Sequence, residues 1–232
     1  MLDFIHNDPE FKDLLSIVSS QKGIDITLVE KDYWIMHALY SLQQQGIEFE
    51  LKGGTSLSKG YGLIHRFSED IDIHIRNTPI NISSWIWEHL ISINARNNYI
   101  NNTAIGVQCY HPGYTLVEKL QTIVRKYRNI DNPGASNDKN FMRQYYDIYC
   151  LLGNALIQEF IGSPEYLAHK ATRIKGADNL IPLNEHPALL LNNPKIRESF
   201  TGRYLSTAKL YYIEQPDFEE ILARIAVHLH KL

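Results

Sequence analysis

The 232-residue sequence predicts an α+β fold, a small mixed β-sheet flanked by helices and continued by a C-terminal helical bundle. Two observations carry this. Period-two segments (GIEFELKG at 46–53, SEDIDIHI at 68–75, AIGVQCY at 104–110) are confined to the first half, and they are interleaved with helical-period segments. After residue 111 every apolar stripe has helical spacing.

Taken in order, helices are expected over 9–20 and 26–45. In the second, Leu28, Trp34 or Ile35, Leu39 and Leu42 recur at helical spacing, and Gly23 and Gly46 act as stops. In the strand that follows, Ile47, Phe49 and Leu51 alternate with Glu48, Glu50 and Lys52. From Thr55 the period turns helical, with Leu57, Tyr61 and Ile64 on one side, and at Asp70 it returns to two. A helix over 83–96, a strand at AIGVQCY and a helix at TLVEKLQTIVRKYR (115–128) follow, the last with Leu116, Leu120, Ile123 and Val124 inward. Segments 137–160 and 164–175 continue as helices. The last helix has Asp217 as N-cap, Glu220 three residues on, and a stripe of Phe218, Leu222, Ile225 and Leu229. We divide the chain into a core with N-terminal helices, 1–130, and a helical region packed on it, 131–232.

Composition narrows the class. With 44% apolar and 11% aromatic residues the chain can bury a sizeable core. No stretch reaches the roughly 18 uninterrupted apolar residues of a membrane span. The N-terminal MLDFIHNDPEFKDLL is acidic and polar where a signal peptide is basic and then apolar, which points to a cytoplasmic protein without membrane contact. Cys109 and Cys150 lack metal-type spacing and read as buried thiols. A net charge of −3 argues against indiscriminate nucleic-acid binding. The charge is uneven, however: residues 1–50 hold nine acids and three bases, whereas 116–143 hold six bases (Lys119, Arg125, Lys126, Arg128, Lys139, Arg143) and three acids (Glu118, Asp131, Asp138). A polyanion would prefer the second region.

The chemistry concentrates in GGTSLSKGYGLIHRFSEDIDI, 53–73. Gly53 and Gly54 end a strand and Thr55 and Ser56 begin a helix, so unpaired N–H groups and hydroxyls meet where a phosphate can approach closely. A plain tight turn uses the same residues. The pattern is not a P-loop, because Lys59 lies between Ser58 and Gly60 instead of following a glycine and preceding a hydroxyl, and G-x-G-x-x-G is absent too. At the other end, strand periodicity sends Asp70, Asp72 and His74 to one face and Ile71, Ile73 and Ile75 to the other. Two like charges on one face are tolerable beside a divalent cation, as in metal-assisted phosphoryl transfer, although a solvated edge strand also carries such a pair.

This segment resembles the nucleotidyltransferase superfamily signature of Gly-Gly or Gly-Ser, a spacer and Asp-x-Asp. More narrowly, LKGGTSLSKGYGLIHRFSEDIDI is similar nearly residue for residue to the AbiEii-type toxin nucleotidyltransferases of bacterial abortive-infection and toxin–antitoxin systems. VEKDYWI at 29–35, YTLVEKLQTIVRKYR at 114–128 and RQYYDIYCLL at 143–152 extend the resemblance over most of 25–155. It implies metal-dependent transfer of a nucleoside monophosphate from an NTP to an acceptor, by a toxin held in check by an antitoxin. Carried over, Gly53, Gly54, Thr55 and Ser56 hold the triphosphate, Asp70 and Asp72 bind Mg²⁺ or Mn²⁺, and Lys59 neutralises phosphate charge. Ser68 matches a hydroxyl position near the acids, and Lys119 and Asp147 match later lysine and aspartate motifs. No acid occurs in AIGVQCY, where many relatives place a third carboxylate; Glu118 and Asp147 are then candidates for the general base.

Relatives of this type use tRNA 3′ ends, so the resemblance implies an RNA acceptor, with protein as a second candidate. Arg125, Lys126 and Arg128 lie within one helical turn around Tyr127, an arrangement that fits backbone phosphates and a stacked base and equally an ordinary solvated helix end. Two other readings use the same parts: a catalytically silent nucleotide- or partner-binding protein, and a kinase-like enzyme that moves the γ-phosphate.

Overall fold

Helix α1 (Phe11–Lys22) stops where Gly23 adopts a left-handed φ of 64°. Asp25 then opens α2 (Ile26–Gln44) by accepting a 2.8 Å hydrogen bond from the Thr27 N–H. The computed structural model describes residues 2–68, 70, 72–74, 79–130 and 141–232, with backbone alone at 74, 79 and 80. These residues fall into two compact units, 1–110 and 111–232.

The first unit is built on a four-stranded mixed sheet in the order β2-β1-β4-β3. Strand β1 (Glu50–Lys52) pairs antiparallel with β2 (Asp72–His74) and parallel with β4 (Ala104–Cys109), whose other edge takes β3 (Pro79–Ile82) antiparallel. Met36 and Leu39 of α2 pack with Phe49, Leu51, Ile82, Ala104, Val107 and Cys109 into one buried cluster. Helix α4 (Trp85–Ser92) starts at Ser84, whose hydroxyl accepts from the Trp87 N–H.

Three features of this unit differ from the periodicity. Strand β1 is shorter than GIEFELKG, since only Glu50 and Leu51 pair with β4, and Ile47 is exposed. The helical segment after Gly54 ends at Gly60, with the left-handed Gly62 (φ 62°) just beyond; Leu57 and Ile64 are both buried, but only Leu57 is in the helix. Strand β3, carried by PINI, alternates only over Ile80, Asn81 and Ile82, too short a run to be read as a strand; it opens with proline and bulges between Ile80 and Ile82. Of the expected apolar face of β2, Ile71 and Ile75 lie outside the described residues, and Ile73 is 47% exposed because β2 is a sheet edge.

The second unit is helical. Helix α5 (Pro112–Arg128) buries Leu116, Leu120, Ile123 and Val124, as its spacing predicts, against α6 (Arg143–Leu152). Helices α7 (Ala155–Phe160), α8 (Pro164–Arg173), α9 (Pro187–Leu190), α10 (Pro194–Leu205) and α11 (Phe218–His228) complete it. Helix α5 belongs to this unit, where its apolar stripe packs on α6, α8 and α9. The start of the helix expected over 137–160 lies partly outside the described residues. Asp217 is the N-cap of α11, but its side chain makes no capping bond, while Phe218, Leu222, Ile225 and Leu229 are buried as expected.

Of the two thiols only Cys109 is buried; Cys150 is half-buried. Burial pushes the Cys109 thiol up to about 11, against a smaller opposing effect of the Ser56 hydroxyl. A raised thiol contributes stability below its unfolded value of about 8.5. That contribution is lost as pH rises towards 11. At pH 8 an iodoacetamide pulse with mass-spectrometric readout is therefore expected to label Cys150 and spare Cys109 in the folded protein, and to label both in denaturant.

Candidate active site

The site is assembled where β1 runs into a helical turn. Residues Gly53–Thr55 form helix α3, which continues as a π-helical turn over Ser56–Gly60. Antiparallel pairing puts Lys52 opposite Asp72, so the aspartate arrives beside the first residue of the turn. Gly53 has a φ of 65°, and a Cβ there would collide with Asp72 Oδ2. At Gly54 a Cβ would lie 2.5 Å from Ser68 Oγ and 3.3 Å from an Arg66 Nη. The Thr55 hydroxyl donates to the Asp70 carbonyl at 2.7 Å, tying the turn to the segment that leads into β2; Asp72 opens that strand, whereas Asp70, expected on the same strand face, lies before it. The two glycines are thus required by close approach: one yields to a carboxylate, the other to a hydroxyl and a guanidinium.

Asp70 and Asp72 are both exposed. Thr55 and Ser56 are buried, at 2% and 0%, with Thr55 turned to the Asp70 carbonyl and Ser56 beside Cys109. Any anion at this turn would therefore meet backbone N–H groups and not these two hydroxyls.

Lys59 points elsewhere than a phosphate cradle. Its ammonium forms a 2.5 Å ion pair with Asp32 of α2 and lies 4.1 Å from the centroid of the Trp85 ring. The other Asp32 oxygen accepts from the Trp85 N–H at 2.9 Å, at the start of α4. Asp32 is 1% exposed, so it is no part of a solvated helix face; it joins α2, the helical turn and α4.

The family model described as nucleotidyl transferase AbiEii toxin, type IV toxin–antitoxin system, matches residues 34–95 and 78–224. The chain belongs to the AbiEii family. Its members are nucleotidyltransferase toxins of type IV toxin–antitoxin systems. No curated protein and no solved structure matches the chain. In AbiEii terms, the turn and the two aspartates of the first unit correspond to the segment on which the resemblance was strongest.

The remaining expected residues lie in the second unit. Lys119 and Asp147 form a 3.0 Å ion pair between α5 and α6, with Asp147 fully buried. Glu118 faces Arg173 at 3.3 Å and His169 at 3.8 Å on α8. Of the basic cluster, Arg125 is exposed, whereas Arg128 is paired with Asp178 at 2.5 Å and Lys126 lies 5.8 Å from the Phe141 ring. Tyr127 is half-buried and meets His186 and Phe200 edge-on, with ring centroids 6.2 and 6.3 Å away. Lys139 lies outside the described residues.

One residue that sequence reasoning passed over is Arg66. It is buried, donates to the Phe67 carbonyl at 2.9 Å, and brings a guanidinium to Gly54. Its position inside the quoted motif, four residues before Asp70, was the available signal.

Gly53→Ala must force either Asp72 or the turn to move, at a strain cost of about 1–2 kcal/mol for the left-handed residue. Nucleotidyl transfer is expected to fall far more than the denaturation midpoint does. Lys59→Met strands the Asp32 carboxylate, and loss of one partner of a buried pair costs about 3–5 kcal/mol. Urea unfolding should show that loss; an unchanged midpoint would mean Lys59 is free to serve the substrate instead.

Proposed function

We propose that the chain transfers a nucleoside monophosphate from an NTP to an RNA acceptor, with the 3′ end of tRNA as the leading candidate, in a Mg²⁺-dependent reaction at the β1–α3 turn. The observation that carries this is the close approach of Gly53 to the Asp72 carboxylate and of Gly54 to Ser68 and Arg66. Such an arrangement leaves space only for backbone, and so suits a ligand that must come within contact distance of the chain.

The donors suit a hard cation. Asp70 and Asp72 offer carboxylate oxygens only, and among the described residues no third His, Cys, Asp or Glu joins them. Mg²⁺ is commonly bound through one or two carboxylates, with water and phosphate oxygens completing the shell. When bound, the ion neutralises charge on the phosphate oxygens. The chain's own part is positioning: N–H groups of the turn receive the triphosphate, and the Arg66 guanidinium beside Gly54 neutralises phosphate charge, the role expected of Lys59. The acceptor hydroxyl forms a bond to the α-phosphorus as the bond to pyrophosphate breaks. Lys119 and Asp147 are carried over from the resemblance, and in this reading they contribute to the same reaction. The setting is the cytoplasm, where NTPs and tRNA are supplied, with a cognate antitoxin limiting the damage. Among the described residues no helix is long and apolar enough to cross a membrane.

Incubation with each α-³²P NTP, Mg²⁺ and total bacterial RNA is expected to label RNA, and γ-³²P NTP is expected to label nothing. Label from the γ position alone would make the chain a kinase. Asp70→Asn and Asp72→Asn should each abolish incorporation while leaving the denaturation midpoint within about 0.5 kcal/mol of the parent, as for exposed side chains. Arg125 and Arg128 are both exposed, but Arg128 is engaged by Asp178, so Arg125 is the member expected to contribute one phosphate contact. Arg125→Gln is then expected to reduce the log–log salt slope of RNA binding by about 0.7–0.9, with NTP affinity unchanged.

A further inference from the structure

We infer that the first unit carries a second ligand site, a cleft for a nucleobase, at the end of β1 remote from the two aspartates. This inference goes beyond the transfer reaction and does not depend on it. The cleft has a volume of about 700 Å³. That lies within the roughly 300–1,000 Å³ of small-molecule sites. It opens where β1 and β4 diverge. Their pairing begins only at Glu50 and Gln108, so the lead-in residues 46–49 stand away from Ile105 and Gly106. Phe49 to Lys52, the partner of Asp72, is three residues, or about 10 Å along a strand.

The gap is preformed and held open. In place of a neighbouring strand, the Gln43 carboxamide of α2 bonds Ile105 on both sides: Gln43 Nε2 donates to the Ile105 carbonyl at 2.7 Å, and the Ile105 N–H donates to Gln43 Oε1 at 3.0 Å. Those two bonds occupy the place where residues 46–49 would otherwise have zipped onto β4.

The lining sets the ligand chemistry. Among the described residues its polar side chains are mostly neutral carboxamides and hydroxyls, Gln44, Asn101, Gln108 and Tyr40 among them, and the one charged side chain is Glu48. With no lysine or arginine among those lining residues, they offer nothing to hold a phosphate. Phe49 and Tyr40 supply ring surface. The deciding atom is Gln108 Oε1, buried without a hydrogen-bond partner. A buried acceptor left unmade is costly, and it is answered by a ligand that brings an N–H into an otherwise apolar and amide-lined space. A planar ring carrying an amino or imino donor, flanked by carboxamides that pair with base edges, meets all three conditions. The base can come from a free nucleoside or from one residue of a single RNA strand.

The test uses the full chain and amide-resolved NMR titration with adenosine, cytidine, guanosine and uridine, and in parallel with short homo-oligoribonucleotides. Shifts confined to the Ile105, Gly106 and Gln108 region, on adding nucleosides or on adding oligonucleotides alone, support the site and tell the two sources apart. Gln108→Leu should weaken that binding about tenfold, the worth of one hydrogen bond. Because Gln108→Leu touches the sheet, Asn101→Ala and Gln44→Ala at the rim are measured beside it, and each should weaken binding while leaving the circular-dichroism spectrum unchanged. Asp72→Asn should leave it unaffected, which separates this site from the transfer reaction. The inference is overturned if no nucleoside or oligonucleotide shifts these amides, if all three cleft variants bind as the parent does, or if Asp72→Asn abolishes the shifts.

Discussion

The geometry of the first unit hangs on the absence of a side chain at Gly53. Antiparallel pairing of β1 with β2 is fixed by Lys52 standing opposite Asp72, and that register delivers the Asp72 carboxylate to the space a Cβ would fill. A residue of any other kind there must displace the Asp72 carboxylate and adopt a left-handed φ of 65° that L side chains rarely take. The register in turn sets the position of Asp70, because its carbonyl is held by Thr55 within the same turn. One missing methyl therefore fixes the sheet edge, the start of the helical segment and the spacing of the two acids together.

Two ion pairs account for why widely separated stretches of the sequence carry the family resemblance together. VEKDYWI and GGTSLSK are joined by Asp32 and Lys59, and YTLVEKLQ and RQYYDIY by Lys119 and Asp147. Asp32 and Asp147 are almost wholly buried, at 1% and 0% exposure, so neither tolerates loss of its partner. Asp32 carries more than a charge pair, since it also receives the first N–H of α4 next to the ring that Lys59 covers. A lysine inside the glycine-rich turn thus has a structural partner that lies 27 residues upstream.

That pairing also shows what the sequence could and could not convey. The alternation of Leu51 with Lys52 and the doublet Gly53–Gly54 were legible because they are local: strand, turn and helix follow each other without a gap. The aspartates were legible for the same reason. The ion pair of Lys59 with Asp32 was not legible, because it is set by how α2 lies against the turn, which no short window of residues contains. The basic cluster on α5 shows the same limit, since Arg128 is held by Asp178, fifty positions away, and Tyr127 by His186 and Phe200. Arg66 lay in plain view within the motif, but nothing in the sequence distinguished a buried guanidinium from an exposed one.

The same distinction between local and non-local order explains the shortness of β1. Alternation in GIEFELKG runs the full length, yet Gln43 of α2 occupies the β4 edge beside Ile105 and leaves only Glu50 and Leu51 to pair. A side-chain amide carries the same donor and acceptor as a peptide group, so the exchange costs β4 no hydrogen bond at that position. The strand loses length and the unit gains a cleft. Periodicity records which residues could form a strand; the competition for the neighbouring edge decides how many do, and here that competition separates the end of β1 that meets Asp72 from an open cleft at its other end.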